Sequence, residues 1–464
     1  MRSTMKSMIA TTSLLLACAG TARAEWGALT QDPGPQGCFS SGGIGSCGAG
    51  TALAGPTTMT MSKDGKHVYV ASQFGAAVAV LVRDAKKGTL SQLPGPAGCI
   101  SQGGSGGQCA SGTALDYSLS MALSPNGKQV YVASYYSSSV AVLTRDRKTG
   151  ALTQLPGPAG CISEGGSGGQ CANGRALSKP RSVAVSPNGK QVYVTSGDGS
   201  AVAVLQRNSA TGGLTQLPGP EGCISAGGFG GCTTGRALDF PWSVAVSKDA
   251  KHVYVASQYS NAVAVLQRDP ITGALTQRPG PEGCIGTGSQ CASGRALFEP
   301  RSVTISPDGK HVYVASGNND TIAVLQRDPI TGALTQRSGQ EGCISADGMG
   351  PCTRVRALDF PSSVAVSKDG KNVYVGSYYR DAVSVLQRDP TSGGLTQRDE
   401  LDGCIGEAFI EECPDGEECP PTVQQCTLGR ALRQVVSVAV SKDGKQVYAV
   451  SAGTSAVAVL ERTK

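Results

Sequence analysis

The chain has 464 residues, of which 16% are charged, with a formal net charge of +6, 64 glycines and 17 cysteines. So mild a charge, with no basic run, excludes an electrostatic nucleic-acid binder. The scarcity of Trp (2) and Phe (7) beside abundant Val, Ala and Gly excludes one large aromatic-filled core and suits a thin core built many times over.

Residues 1–24 read as an export leader. Arg2 and Lys6 form a basic start, an apolar stretch follows over 8–17, and Ala22-Arg23-Ala24 is a small-x-small cleavage site before Glu25. Leu15-Leu16-Ala17-Cys18 also fits a bacterial lipobox, which would leave Cys18 as a lipid anchor; both readings export the chain to the periplasm, the medium or the outer surface. Loss of Arg2, Lys6 and Arg23 with the leader lowers the charge by three. No later apolar run approaches the 18 or so residues of a membrane span.

From residue 25 onward one unit recurs seven times. Its clearest copy predicts four strands, at 243–247, 252–257, 262–268 and 275–277. Val244 and Val246 share one face by the period of 2, and the opposite face carries Ala245, so the strand is apolar on both sides, as in a sheet packed between two layers. Lys-Asp-Gly-Lys or a close variant joins the first two strands as a tight hairpin, and Asp-Pro-Ile-Thr-Gly joins the third to the fourth. The second-strand tyrosine recurs at Tyr69, Tyr131, Tyr193, Tyr254, Tyr313, Tyr374 and Tyr448.

The mature chain opens on a lone fourth strand at 27–31 and closes on a lone third strand at 456–462, so the two ends complete one blade. That is the closure of an all-β, seven-bladed propeller of four-stranded blades spanning 25–464. A loop of about 25 residues links each fourth strand to the next first strand, on the same face as the turn between second and third strands; loops this long are stapled or functional.

Sixteen cysteines follow the leader. They read as disulfides Cys38–Cys47, Cys99–Cys109, Cys161–Cys171, Cys223–Cys232, Cys284–Cys291 and Cys343–Cys352, one per loop. In the last loop, register favours Cys404–Cys426 with Cys413–Cys419 nested inside, over sequential pairing. Metal binding is the rival; there is no CxxC and no nearby His. The same loop carries Glu407, Glu411, Glu412, Asp415, Glu417 and Glu418, read as solvated charge or, alternatively, oxygen ligands for Ca²⁺. No other cofactor is expected.

Ser-Pro-Asp-Gly-Lys-His-Val-Tyr-Val at 306–314, with variants in every blade, resembles the YVTN repeat and, more broadly, the lactonase-like seven-bladed propellers. The resemblance covers residues 25–464. It implies the propeller fold and an activity drawn from lactone hydrolysis, ring-closing isomerisation or ligand binding. The disulfide loops depart from the cytoplasmic sugar-lactonase members.

Two G-x-S-x-G matches (103–107 and 165–169) and a G-x-G-x-x-G match (43–48) lie inside cysteine loops, without the strand and helix such motifs need. His67, His252 and His311 occupy a position that other blades fill with Gln129, Gln191, Asn372 and Gln446, and read as ordinary exposed strand residues. The Gly-Arg-Ala-Leu arginines Arg175, Arg236, Arg295, Arg356 and Arg430 recur too regularly for one site and read as structural.

The candidate site is a funnel at the channel mouth. First strands start at Thr57, Leu119, Arg181, Trp242, Arg301, Ser362 and Val436; just upstream lie Asp116, Asp239, Glu299 and Asp359; the turns after the second strand offer Phe74, Tyr136, Asp198, Tyr259, Asn318, Tyr379 and Gly453. Arg181, Trp242, Arg301, Tyr136, Tyr259 and Tyr379 are the candidate ligand-binding residues, because guanidinium forks grip carboxylates and aromatic faces take sugar C–H groups or cations. The rival reading has Asp capping the loop, Arg pairing with it and Tyr packing between loops. The expected function is an exported, monomeric scaffold binding a small anionic or sugar-like ligand, or a protein partner, on the loop face. The alternative is a lactonase-like hydrolase in which Arg181 and Arg301 hold the lactone and Asp239 or Glu299 activates water. A structural surface protein is a third reading.

Overall fold

The computed structural model describes residues 27–348, 350–398, 400–407 and 426–463. Seven separate sheets follow one another in the chain, each ordered first, second and third strand from the inside outward. Blade 1 begins at Pro56–Met61, blade 4 at Pro241–Val246 and blade 7 at Val435–Val440. The sequence places second, third and fourth strands to the residue: in blade 4 they are His252–Ser257, Ala262–Arg268 and Leu275–Gln277. The fourth position is shared, however. Leu275–Gln277 pairs with the end of the third strand, Cys284–Gly286 with its beginning, and Ala292–Ser293 lies parallel to the latter. The long loop is therefore partly strand, held to the blade by its own backbone as well as by sulfur.

The ring closes as the two chain ends require. Leu29–Gln31 and Cys38–Ser41 both pair antiparallel with Ala456–Arg462, and Gly48–Gly50 runs parallel to Cys38–Ser41. The N-terminal stretch thus supplies every outer segment of blade 7. Seven disulfides stand where expected, including Cys404–Cys426; Cys413, Cys419 and the acidic run from Glu411 to Glu418 lie outside the described residues. Each short loop contributes about 2.5 kcal/mol on a chain-entropy account.

Blades adhere through a repeated polar latch under the apolar layer. At the junction of blades 5 and 6, Arg388 donates Nε to the Tyr313 hydroxyl (2.8 Å), and Nη2 to Asp308 (2.8 Å) and to His311 Nδ1 (2.7 Å). Tyr313 in turn donates to the Gly393 carbonyl (2.9 Å). Arg145 meets Tyr69 and His67, and Arg207 meets Tyr131 and Gln129, in the same way. Across the seam Arg83 donates to Tyr448 (2.7 Å), and Tyr374 donates to the carbonyl of Gly27 (2.9 Å). All seven tyrosines are fully buried.

The latch corrects the reading of the histidines. His67, His252 and His311 are buried at 2% exposure, so they are not exposed strand residues. His, Gln and Asn alternate there because each presents an acceptor to a guanidinium. A second latch lies nearer the loops: the fourth-strand Gln277 donates Nε2 to the Arg236 carbonyl (3.1 Å) and accepts from its N–H (2.7 Å), as a strand would. Arg236 Nη2 reaches the carbonyls of Arg278 (3.0 Å) and Gly280 (2.7 Å) of the next blade, which gives the Gly-Arg-Ala-Leu arginines a stitching role.

Blade 4 places Ala250 at φ 60° where its siblings have glycine; Ala250→Gly should stabilise the protein by about 1 kcal/mol, read as a higher urea midpoint. The three imidazoles are held neutral, their pKa values pushed below 6.5 by burial and then by the facing arginines. Unfolded chains take up these protons first, so the stability they confer is full above about pH 6.5 and is lost as pH falls through the lowered folded values. The His67→Gln/His252→Gln/His311→Gln variant should match the parent at pH 7.5 and lose less stability on titration to about pH 5. The later loss should remain, because Asp64, Asp249 and Asp308, with pKa values lowered to about 2, cease to contribute only under more acidic conditions.

Candidate functional site

Each first strand carries a β-bulge at its second residue. The pairing register slips between Pro180 and Ser182, between Pro241 and Ser243, and between Pro300 and Ser302, and likewise in the other four blades. The unpaired residues are Thr57, Leu119, Arg181, Trp242, Arg301, Ser362 and Val436. A bulge re-aims its side chain out of the alternation, and these seven all line one cavity of about 630 Å³ at the loop-face end of the channel.

Within it the chemistry is unevenly spread. The Arg181 guanidinium lies 4.0 Å from the centre of the Trp242 ring, and Arg301 lies 4.5 Å from the same ring. Arg181 also faces Tyr135 (5.0 Å) and Phe240 (4.5 Å), and Arg301 faces Phe360 (4.7 Å). Neither forms an ion pair among the described residues, and both Nε groups are buried without an acceptor. Burial pushes both guanidinium pKa values down, against the partial counter-effect of Tyr135 and Asp198 on Arg181 and of Glu299 on Arg301. In the latch, burial is outweighed by Tyr313 and Asp308, and Arg388 is raised. Arg207 and Arg268 in the latch and Arg236 among the loop arginines also lack a counter-ion, but each spends its guanidinium N–H groups on neutral acceptors of the fold; Arg181 and Arg301 face aromatic rings instead.

Tyr136 and Tyr379 line the cavity; Tyr259 stacks on Phe240 at 4.6 Å beside it. The weak catalytic candidates are not brought to the cavity wall. Asp239 accepts from Ser200 Oγ (3.1 Å), and Glu299 accepts from the amides of Gln258 (2.9 Å) and Asn318 (2.5 Å). Nor are those two equivalent. Glu299 has φ 50°, like Phe240 (53°) and Phe360 (51°), so it stands one place further along the repeat than Asp239, whose true counterpart is Phe298. Asp198 pairs with Lys179 (2.6 Å) on the rim.

Sequence reasoning missed Tyr117, Tyr135, Phe240, Phe360 and Tyr378. Tyr117, Phe240 and Phe360 precede the first strand in the left-handed region, where a carbonyl accepts from the second-strand turn, as from Tyr135 N–H to Tyr117 (3.0 Å). The available signal was composition. Of 13 tyrosines, seven belong to the latch, and the other six (Tyr117, Tyr135, Tyr136, Tyr259, Tyr378 and Tyr379) all gather at this mouth.

Fold and mouth together define a disulfide-stapled seven-bladed β-propeller with a cationic, aromatic channel opening. In fold it is similar to the lactonase-like propellers. The family described as lactonase, 7-bladed beta-propeller, matches residues 289–344, which is one blade with its preceding loop. Similar solved structures include a candidate 6-phosphogluconolactonase from Bacteroides fragilis (19% identity, TM-score 0.52, 74% of this chain and 82% of that one). Hydrazine synthase of Kuenenia stuttgartiensis (17%, 0.53, 90% and 98%) and a streptogramin B lyase (11%, 0.54, 95% and 100%) are also similar. At these identities the likeness is one of fold. Nothing matches among curated proteins.

If Arg181 and Arg301 serve a ligand rather than the fold, removing their charge should disturb stability little. Arg301→Leu should shift unfolding by less than about 1 kcal/mol, since lost cation–π contact is offset by relieved desolvation. Arg388→Leu in the latch should cost about 3 kcal/mol or more, leaving Asp308 and Tyr313 without their partner. Parallel urea titrations of the two variants check the contrast.

Proposed function

We propose that this protein is exported and that the channel mouth on its loop face binds an organic anion carrying a ring or other flat face. The observation that carries this is the pair Arg181 and Arg301, both on the ring of Trp242 and both without an internal counter-ion. A half-buried cation without a partner is unfavourable in the empty protein, and an anion that supplies two charge-assisted hydrogen bonds relieves that penalty. Seven disulfides support an oxidising compartment, and no helix among the described residues is long and apolar enough to cross a membrane.

A second reading is lactone hydrolysis, favoured by the family match over 289–344. There the two guanidiniums would polarise the lactone carbonyl. A water-activating group would have to come from Asp239 or Glu299, both engaged in hydrogen bonds beside the cavity. The lining itself offers guanidinium, aromatic rings and hydroxyls, which supports binding over turnover.

Trp242 makes the test direct. In oxidised mature protein carrying Trp26→Phe, its fluorescence should respond saturably to sugar acids and aromatic carboxylates. Each of Arg181→Ala and Arg301→Ala should weaken affinity about 10- to 100-fold. Absence of a response to any anion in folded protein overturns the reading. Lactone turnover in the parent, lost in the double variant, puts the hydrolase in its place.

A further inference from the structure

Going around the ring, the mouth alternates. Blade 2 presents Tyr117, Tyr135 and Tyr136, within 4.6–5.8 Å of one another. Blade 3 presents Arg181. Blade 4 presents Phe240, Trp242 and Tyr259, with Tyr259 stacked on Phe240 at 4.6 Å. Blade 5 presents Arg301, and blade 6 presents Phe360, Tyr378 and Tyr379, within 5.0–5.9 Å. The cation–ring contacts bridge these clusters in order: Arg181 touches the blade 2 and blade 4 groups, and Arg301 touches those of blades 4 and 6. Five consecutive blades therefore form an arc of platform, cation, platform, cation, platform.

Resting on the anion-binding reading above, we infer that the arc takes an anionic oligosaccharide in which ring and carboxylate repeat, that is, a chain of uronate units. An alternating surface fits an alternating ligand. A single small anion would engage Arg181 and Arg301 over Trp242 and leave the platforms of blades 2 and 6 idle. The platforms are also not confined to the cavity: Tyr136 is 61% exposed, and Tyr259 and Tyr379 are each 58% exposed, so the arc continues outward as a long ligand requires. Tyrosine predominates over aliphatic residues in the lining, and Gln73 adds a hydrogen-bonding group, which suits a hydroxylated body rather than an apolar one.

The test compares oligogalacturonates of one, two, three and five units with neutral galactose oligomers of the same lengths, by calorimetry at fixed ionic strength on the oxidised mature protein. Affinity should rise at least tenfold from monomer to trimer, and neutral oligomers should bind at least tenfold more weakly. Tyr259→Ala, an exposed substitution, should flatten the length dependence; a length dependence equal to the parent's overturns the part given to the blade 4 platform. If galacturonate and its oligomers bind equally, the repeat inference is overturned while the anion site stands. If sulfated oligomers without carboxylates bind as well as the uronates, the carboxylate assignment is overturned. If neither oligouronates nor any small anion binds, both readings fail together.

Discussion

The interaction on which the rest depends is the guanidinium–phenol contact between neighbouring blades. A propeller blade is a small twisted sheet that cannot bury both faces alone, and apolar side chains such as Val and Ala pack without fixing how one sheet is set against the next. The latch adds direction. Arg388 binds Tyr313, His311 and Asp308 of blade 5, while Tyr313 returns a hydrogen bond to Gly393 of blade 6. Every donor and acceptor has a partner only when the two blades meet at one height and one rotation. Repeated around the ring, with Arg83 on Tyr448 and Tyr374 on Gly27 at the seam, it defines closure as well as contact. Gly393 has no room for a side chain, since a Cβ would lie 2.2 Å from the His311 ring.

This division of labour frees the opposite end. The latch occupies the hairpin side of the disc, and the glutamine pairs and disulfides hold the loops farther out. The residue at each first-strand bulge is excused from pairing, so it can vary from Thr57, which donates to the Ser118 carbonyl of the next blade (2.8 Å), to Leu119, Arg181 and Trp242. Variation confined to one position per repeat, on the axis of a rigid ring, is how a repetitive fold acquires a particular site.

Most of the fold was legible because the repeat announced it. The limits of the second, third and fourth strands, the number of blades, closure by the chain ends and the Cys404–Cys426 pairing follow from register; the first strand, expected at 243–247, starts two residues earlier, at Pro241, because the bulge at Trp242 breaks the alternation. The split fourth strand was hidden because Cys-Ile-Ser and its relatives are too short to show a period. The histidines were misread for a different reason: substitution among His, Gln and Asn looks like tolerance of polarity, and only the facing Arg145, Arg327 and Arg388 show that it is tolerance of a shared acceptor. At the mouth, the bulge ring could be aligned by sequence, but a one-residue slip put Glu299 beside Asp239. Local spacing gives no sign that Phe240, Phe360 and Glu299 share a left-handed backbone position.

Bulky residues at positive φ are unfavourable, each by about 1–2 kcal/mol, and Tyr117, Phe240 and Phe360 adopt it side by side with two uncompensated guanidiniums. The left-handed turn serves the blade, since its carbonyl accepts from the second-strand turn; the guanidinium pair makes no such bond among the described residues. Blade 1 manages the same turn with Gly55, and other first strands carry Thr57, Leu119 or Val436 at the bulge. The backbone cost recurs in blade 7 at Gln434, but the partner-less guanidiniums and the ring clusters fall on blades 2 to 6, in a frame held by latches and disulfides. The left-handed turn belongs to every blade, whereas aromatic rings at that turn and guanidiniums facing them are confined to one sector, which points to a sector shaped for something outside the chain.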